Sequence, residues 1–338
     1  MKTFNTLYEI VRNSIENFSS RIAFSMLGGE DVSYKEVGER IEKVQEMLLD
    51  AGVGAGDKVA ILSSSMPNWG VSYFAVTTAG MIAVPILPDF TSSELDLIIE
   101  HSEAKAILVS DKLYAKLSKE VIEKLNIVIR TKGLNAIVKH VSERAEKRIP
   151  QPEDTAAIIY TSGTTSKPKG VMLTHRAISM QLTVIPPLFD YNQEDVLLSI
   201  LPLSHTYECT LGMIYPFSRG AHVYYMDRPP VASALMPALQ EVRPTVIASV
   251  PLSWRRYIVA RCAPHSRRAH AYAHSTAGRP HASSSTRLRA RSSRHSSVAA
   301  CASSLSEVRS STARRSASSR RLASPTASAM ASPRQHPS

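Results

Sequence analysis

The stretch AAIIYTSGTTSKPKGVMLTH, residues 156–175, places an aliphatic run on each side of a segment rich in hydroxyl groups. The runs AAIIY and VMLTH are typical of extended strands, and the segment Tyr160–Gly170 between them adds glycine, proline and two lysines. Glycine lets the backbone approach a ligand closely, hydroxyl groups donate hydrogen bonds, and lysine supplies positive charge. The pattern therefore predicts a loop between two strands that cradles phosphate groups.

This segment differs from the common P-loop, because its second lysine precedes the final glycine and no Lys-Ser or Lys-Thr pair opens a helix. The alternative interpretation is a solvent-exposed hairpin turn, which is the ordinary explanation for a shorter cluster of Ser, Thr and Gly. The length of the segment and the strand on each side favour the phosphate-binding interpretation.

Short aliphatic runs alternate with segments of helix length on both sides of this stretch. The runs predicted as strands are Lys58–Leu62, Ile82–Ile86, Ala106–Val109, Ile127–Ile129, Ala156–Tyr160, Val196–Ile200, His222–Tyr225 and Val246–Val250. The segments predicted as helices are Tyr34–Ala51, Asn68–Ala79, Ser92–His101, Lys112–Leu125, Ala177–Ile185 and Val231–Gln240. This alternation, punctuated by Gly and Pro, predicts an α/β fold with layered, parallel-rich sheets and flanking helices.

Charge divides the chain into two parts. The 78 residues from Arg261 onward contain 14 Arg, no Lys and one acid, Glu307, whereas the first 260 residues, with 26 basic and 28 acidic side chains, have a net charge of −2. Ser, Ala, Arg and His dominate the later part without periodicity, and such a segment buries too little apolar surface to offset its ordering entropy. We therefore expect a folded domain over residues 1–252 and a disordered Arg/Ser/Ala-rich tail over residues 253–338.

The break in composition suggests a hypothesis for the origin of the tail. Residues 253–259, SWRRYIV, can be encoded by codons that spell VMEKIYR when they are read one base earlier, and this alternative is a sensible amphipathic helix. An abrupt switch to Arg, Ala, Ser, His and Pro without Lys is typical of a GC-rich message read out of frame. We therefore treat the tail as the product of a frameshift near codon 252, which resequencing of the gene tests.

The remaining global features favour a cytoplasmic protein. Cys209 is the single cysteine before the tail, so no disulfide framework is indicated. The first residues have helical spacing, with Leu7, Ile10, Val11 and Ile15 separated by charges, and they lack a continuous apolar signal core. No stretch reaches the roughly 18 apolar residues that a membrane span needs. We expect no transmembrane segment and leave peripheral contact with a membrane open.

A second informative segment is LPLSHTYE, Leu201–Glu208, in which a proline ends an apolar strand and His205 begins the next helical run. A lone histidine at a helix start is as often a surface or capping residue as a substrate ligand. Glu208 either pairs with His205 or faces solvent, and it is left without a role.

YTSGTTSKPKGVMLTH resembles the signature loop of the adenylate-forming superfamily, which includes acyl-CoA synthetases, luciferases and the adenylation domains of peptide synthetases. The segments VSYKEV (32–37), GDKVAILSSSMPNW (56–69) and GMIAVPILPDFTSSEL (80–95) are similar to early segments of that family in order and spacing. The resemblance implies that the β- and γ-phosphates of ATP are held by Thr161, Ser162, Gly163, Thr164, Thr165 and Lys169. It also implies Thr161 as a Mg²⁺ ligand and His205 as a residue beside the acyl pocket.

Residues 199–225, SILPLSHTYECTLGMIYPFSRGAHVYY, and 243–252, RPTVIASVPL, look more like long-chain fatty acyl-CoA synthetases than amino-acid adenylation domains. In such an enzyme a fatty acid attacks the α-phosphorus of Mg-ATP to give acyl-AMP and pyrophosphate. The thiol of coenzyme A then displaces AMP. The resemblance thus implies ATP, Mg²⁺, a fatty acid and coenzyme A as ligands.

The resemblance ends near residue 252, within the first half of the large N-terminal domain of the family. The later Tyr-Gly-x-Thr-Glu and Thr-Gly-Asp segments, the hinge and the C-terminal domain with its catalytic lysine have no counterpart in this sequence. We therefore expect little or no activity. The alternatives are a non-catalytic nucleotide-binding fragment and a polyanion binder that uses its basic tail, for which only salt-sensitive, non-specific contact with nucleic acid is expected.

Overall fold

The computed structural model describes residues 3–140, 142–161, 168–187, 189–226 and 230–249. These residues all lie in one unit, residues 1–277, and a second unit covers residues 278–338. The tail from residue 253 onward, predicted to be disordered, lies outside the described residues, so that expectation stays a prediction.

Strands and helices alternate along the described chain. The strands are β1 (Ile22–Met26), β2 (Asp31–Ser33), β3 (Lys58–Leu62), β4 (Ile82–Pro85), β5 (Ala104–Val109), β6 (Ile127–Arg130), β7 (Asn135–Lys139), β8 (Thr155–Thr161), β9 (Lys169–Thr174), β10 (Val196–Ser199) and β11 (His222–Tyr225). The helices are α1 (Leu7–Phe18), α2 (Tyr34–Leu49), α3 (Pro67–Thr78), α4 (Ser92–Ser102), α5 (Asp111–Tyr114), α6 (Lys119–Lys124), α7 (His175–Val184), α8 (Thr206–Glu208), α9 (Tyr215–Ser218) and α10 (Ala232–Val242). A π-helical segment, Cys209–Ile214, joins α8 to α9.

The described strands form two sheets. In the seven-stranded sheet the order is β7-β6-β5-β3-β4-β8-β9, and in the four-stranded sheet it is β10-β11-β1-β2. Strands β3, β4, β5, β6 and β8 run parallel, with β7 and β9 antiparallel at the two edges. Strands β10, β11 and β1 are likewise parallel, and β2 is antiparallel. The predicted α/β fold with parallel-rich sheets and flanking helices is confirmed.

Helix α3 is the layer between the two sheets. Every residue of this helix is buried, which is the behaviour of a helix that is apolar all round and has protein on every side. Phe74 of α3 packs against Phe217, and Phe217 stacks on both Phe24 of β1 and Tyr34 of α2. This aromatic cluster therefore joins the four-stranded sheet to the helices that cover the seven-stranded one.

Local sequence explains where the longer helices begin. Ser33 and Thr91 each accept a hydrogen bond from the amide three residues later, and Glu36 and Glu94 reach back to the cap amides. Such capping boxes satisfy two amides that the first turn leaves without helical partners. Among the described residues, no helix is both long and apolar enough to span a lipid bilayer.

The structure departs from the predicted elements in three places. Lys112–Leu125 is not one helix, because Ser118 is extended and accepts a hydrogen bond from the Val121 amide, which starts α6 anew. Strands β1, β2 and β7 were not predicted. Of Val246–Val250, the structure shows a bridge between Val246 and Leu197, and Val250 lies outside the described residues.

Strand β9 forms one edge of the seven-stranded sheet, and within the described residues it pairs with β8 alone. Val171 and Met172 on this strand are 49% and 65% exposed. An apolar, open edge of this kind is unusual on a soluble domain, since edge strands are normally protected by charge, covering segments or irregularity.

Candidate functional site

Because parallel strands end at the same edge of a sheet, the loops after β3, β4, β5, β6 and β8 share one side of the molecule. Strand β8 ends at this edge with Thr161, and β9 begins there with Lys169. Ligands of open α/β sheets bind outside the carboxyl ends of the strands. The fold therefore places the two ends of the phosphate-loop motif where a ligand is expected.

Two of the predicted phosphate-binding residues lie opposite each other at the base of this loop. Thr161 ends β8 and Lys169 begins β9, and the two are register partners in the antiparallel pair. Both side chains are exposed. The other predicted residues, Ser162, Gly163, Thr164 and Thr165, lie outside the described residues, so their roles remain predictions.

The need for glycine at position 170 is explained by packing within the hairpin, rather than by the predicted close approach of a ligand. A Cβ atom at this position would lie 2.7 Å from Cγ2 of Ile158 and 3.3 Å from Cζ of Tyr160. Carbon atoms do not approach this closely without displacement. Glycine is therefore required here by the packing of β9 on β8.

A histidine that was not predicted contacts a residue of β8. Nδ1 of His101, in the last turn of α4, lies 2.8 Å from the hydroxyl oxygen of Tyr160, and the two rings meet edge to face. Burial raises the pKa of the Tyr160 hydroxyl, so it stays protonated and neutral. No local pattern predicts this pair, because 59 residues separate its members.

The segment Leu201–Glu208 is tied to the seven-stranded sheet by Ser65. The Ser65 hydroxyl donates to the carbonyl of Leu201 at 3.3 Å and accepts from the amide of Leu203 at 3.1 Å. Ser65 belongs to the loop after β3, and Leu201 follows β10. The carboxyl edges of the two sheets are therefore joined next to His205.

We expect Ser65→Ala to lower the free energy of unfolding by about 1 kcal/mol, because two hydrogen bonds are lost. The Leu203 amide should also exchange its hydrogen faster, which hydrogen–deuterium exchange measures. Ser64→Ala is the matched control, since the Ser64 side chain is exposed and lies one residue away. Equal exchange at Leu203 in both variants would contradict the proposed link.

His205 caps a helix in this structure. Its exposed ring accepts a hydrogen bond at Nδ1 from the amide of Tyr207 at 3.3 Å, and its extended backbone precedes α8. This is the capping alternative raised from the sequence. A role beside an acyl substrate is compatible with that exposure and remains a prediction.

Glu208 neither pairs with His205 nor faces solvent, so both expectations for this residue were wrong. It is fully buried, and the Ser199 hydroxyl donates to its Oε1 at 2.6 Å. Within the described residues its Oε2 has no hydrogen-bond partner. Burial raises the pKa of this carboxyl to about 8, and the Ser199 hydroxyl and the amides of Leu201 and Ile200 oppose that rise only in part.

A small apolar cavity lies between the β8–β9 hairpin and the segment that follows His205. Its volume is about 30 Å³, and residues that line it include Tyr73, Ile159, Leu173, Leu203, Cys209 and Ile214. Burial raises the pKa of the Cys209 thiol to about 12, so this cysteine is not a thiolate nucleophile at neutral pH. The cavity lining is suited to an apolar group.

The described residues provide no metal site of their own, since no group of three or more His, Cys, Asp or Glu side chains is placed to hold an ion. Mg²⁺ at nucleotide sites is commonly held by one or two protein oxygens together with the phosphates of the substrate. The exposed Thr161 side chain offers an oxygen of this kind, and its role as a Mg²⁺ ligand remains a prediction.

Comparison with known proteins identifies a family whose sequence model matches most of this chain. The model of the AMP-binding enzyme family matches residues 11–321. Long chain acyl-CoA synthetase 1 of Arabidopsis thaliana is 29% identical over 287 residues, which cover 74% of this chain and 43% of the relative. Fatty acyl-CoA synthetase A of Dictyostelium discoideum is 26% identical over 75% of this chain and 42% of its own length. The chain thus spans less than half the length of these two relatives.

Solved structures show the same fold. O-succinylbenzoate coenzyme A synthetase (MenE) from Bacillus subtilis, in complex with AMP, matches with a TM-score of 0.64 and 22% identity over 75% of this chain and 65% of that chain. ATP-bound MatB from Rhodopseudomonas palustris matches with a TM-score of 0.65 and 22% identity, over 75% of this chain and 51% of that chain.

Proposed function

The chain belongs to the family of AMP-binding enzymes, and from that premise we propose that it carries the ATP-binding part of a ligase that activates a fatty acid. The acid would be activated as acyl-AMP and passed to coenzyme A. Relatives named as acyl-CoA synthetases support this proposal. Since the chain spans 43% of the Arabidopsis relative, the complete reaction is a proposal about an enzyme of which this sequence represents a part.

The observation that carries the proposal is the pairing of Thr161 with Lys169 at the carboxyl edge of the parallel sheet. In the first step, the carboxylate oxygen of the acid forms a bond to the α-phosphorus of ATP, and pyrophosphate leaves. The Lys169 ammonium would offset the charge of the β- and γ-phosphates. The Thr161 hydroxyl would donate to a phosphate oxygen or bind the accompanying Mg²⁺, and Ser162–Thr165 would supply further donors.

A fatty acid is proposed as substrate on two grounds. The names of the Arabidopsis and Dictyostelium relatives refer to long-chain or fatty acyl groups. The cavity beside the His205 segment has an apolar lining, although its volume of about 30 Å³ has room for roughly two water molecules. A long acyl chain therefore needs more room than this cavity provides.

We further propose that this chain binds ATP with little or no turnover. The later motifs of the family, which would supply a metal-binding glutamate, a ribose-binding aspartate and a catalytic lysine, have no counterpart in the sequence. Loss of one such electrostatic contact typically costs on the order of 3 kcal/mol of transition-state stabilisation.

ATP binding by the full chain, measured by isothermal titration calorimetry, tests the nucleotide site. We expect Lys169→Ala to weaken binding about tenfold, since one charge at the phosphates is worth roughly 1.4 kcal/mol. Lys139→Ala is the matched control, because Lys139 is an exposed lysine on β7, the opposite edge strand of the same sheet. Equal weakening by both substitutions would show that the effect is general electrostatics and would remove the support for the hairpin site.

Pyrophosphate release from ATP, measured with carboxylic acids of increasing chain length, tests the reaction. We would compare this chain with a version restored to frame after Leu252. Turnover of fatty acids by the restored version alone supports the proposal. Nucleotide binding without turnover in either protein favours a non-catalytic nucleotide-binding protein. Turnover by the chain itself contradicts the expected loss of activity.

A further inference from the structure

A second and much larger cavity lies at the same edge of the molecule, away from the β8–β9 hairpin. Its volume is about 660 Å³, within the range of small-molecule sites. It lies between the turn that joins β1 to β2 and the loops that follow β3, β5 and β6. In the sheet order, β5 and β6 lie on the side of β3 opposite to β4 and β8. The cavity is therefore distinct from the proposed nucleotide site.

One residue that lines this cavity, Ser110, has a buried hydroxyl group. The Ser110 side chain lines the cavity, is 5% exposed, and its hydroxyl makes no hydrogen bond within the described residues. The Ser110 backbone is fixed, because its amide donates to the carbonyl of Leu62 at 3.1 Å. A buried hydroxyl without a partner costs about 1–3 kcal/mol. Its oxygen is shielded from solvent, so the side chain would rotate about its Cα–Cβ bond to donate to a ligand in the cavity and recover that energy.

The start of α3 opens into the same cavity. Met66, Pro67 and Asn68 line it, and Met66 caps the 12-residue helix without any side-chain hydrogen bond. The positive end of a helix dipole favours a bound anion, as in many phosphate sites. The Asn68 side chain donates to the carbonyls of Thr131 and Lys132 at 2.8 and 3.0 Å, so the helix start is held firmly against the loop after β6.

The charges around the cavity leave a positive excess. Lys112 and Lys132 line it, and neither ammonium group has an ion-pair partner in the part of the chain that the structure describes. The two acids in the lining are neutralised by arginines outside it. Glu30 pairs with Arg40 at 2.8 Å, and Asp111 pairs with Arg130 at 3.0 Å.

Met26, Leu27 and Met66 give the cavity an apolar wall. From this arrangement we propose that the cavity binds an organic phosphate, with its phosphate group near Ser110, Lys112 and Lys132 and its apolar body against the methionines. This proposal does not depend on the proposed ligase function.

Calorimetric titration of the full chain with phenyl phosphate and with inorganic phosphate tests this site. Both titrations use the Lys169→Ala variant, which weakens binding at the hairpin. We expect phenyl phosphate to bind at least threefold more tightly than inorganic phosphate, because the apolar wall contacts the ring. Equal affinities would overturn the assignment to an organic phosphate and would indicate a site for the free ion.

Substitutions then locate the phosphate group. Ser110→Ala should weaken phenyl phosphate binding at least threefold, and Lys112→Ala with Lys132→Ala at least tenfold with a smaller dependence on salt. Lys119→Ala with Lys139→Ala is the control, because both lysines are exposed and lie outside the cavity lining. The double substitutions are at exposed positions, so they keep the test decisive even if Ser110→Ala unfolds the chain. Unchanged binding in Lys112→Ala with Lys132→Ala would overturn the proposal.

Discussion

Replacing Glu208 with glutamine should stabilise the folded chain by about 4 kcal/mol at pH 8 and leave its stability near pH 4 almost unchanged. The reason is the burial of the carboxyl, which raises its pKa from the usual 4.5 to about 8 in the folded state. Between these two values the unfolded chain releases the proton while the folded chain retains it. The contribution of Glu208 to stability therefore falls as the pH rises from about 4.5 to 8, and a neutral amide removes this loss.

Denaturant unfolding at several pH values between 4 and 8 measures this effect. Glutamine keeps an oxygen that can accept the hydrogen bond from Ser199, which lies 2.6 Å from Oε1 in the wild type. Glu123→Gln is the matched control, because Glu123 is an exposed acid on α6. A stability difference between Glu208→Gln and the wild type that does not grow with rising pH would show that the Glu208 site admits water or another charge.

A second buried titratable group, His175, should make the folded chain less stable at low pH. We expect His175 to contribute a fall of about 3 kcal/mol in the free energy of unfolding between pH 7 and pH 4, which is measured in the Glu208→Gln variant because the opposing Glu208 contribution is absent there. Burial lowers the pKa of this imidazole from 6.5 to about 4, and the nearby Asp154 carboxylate opposes the change only in part. Below pH 6.5 the unfolded chain binds a proton that the folded chain does not, so the folded state loses relative stability.

The hydrogen bond of His175 explains why its neutral form is needed. Its Nδ1 accepts from the Leu7 amide at 3.2 Å, which joins α7 to the start of α1, and a protonated ring has no acceptor. His175→Asn retains an acceptor without titrating in this range, so the acid-dependent loss should disappear. In the same Glu208→Gln background, His140→Asn, at an exposed position, should keep the acid-dependent loss. Persistence of the slope in His175→Asn would assign it to another group.

The two effects can be separated because their slopes have opposite signs. Glu208 lowers stability as the pH rises above 4.5, and His175 lowers it as the pH falls below 6.5. Their combined contribution is most favourable between these limits. Each variant should remove one slope and leave the other.

The fold class could be predicted because the central strands are nearly continuous aliphatic runs, such as KVAIL in β3 and AKAILV in β5. Strand β2 was missed because its three residues, DVS, are too few to show alternation. The predicted helix Lys112–Leu125 failed at Ser118, where the side chain bonds to a backbone amide more favourably at a cap than inside a helix.

The candidate site could be predicted only where its residues are close in sequence. The sequence predicted a strand on each side of the hydroxyl-rich segment, and the pairing of these two strands makes Thr161 and Lys169 register partners. Ser65 and Leu203 are 138 residues apart, and no local pattern links them. The burial of Glu208 depends on packing between strand β10 and the π-helical segment, which helical periodicity does not encode.

The open edge at β9 has a consequence for handling the protein. Within the described residues this strand pairs on one side alone, so its outer backbone groups and the exposed Val171 and Met172 can accept a strand from a neighbouring molecule, including a second copy of the same chain. Self-association grows with concentration, so dilute samples favour the monomer and concentrated ones favour aggregates. Expression at low level, or with a soluble fusion partner, would suit this chain best.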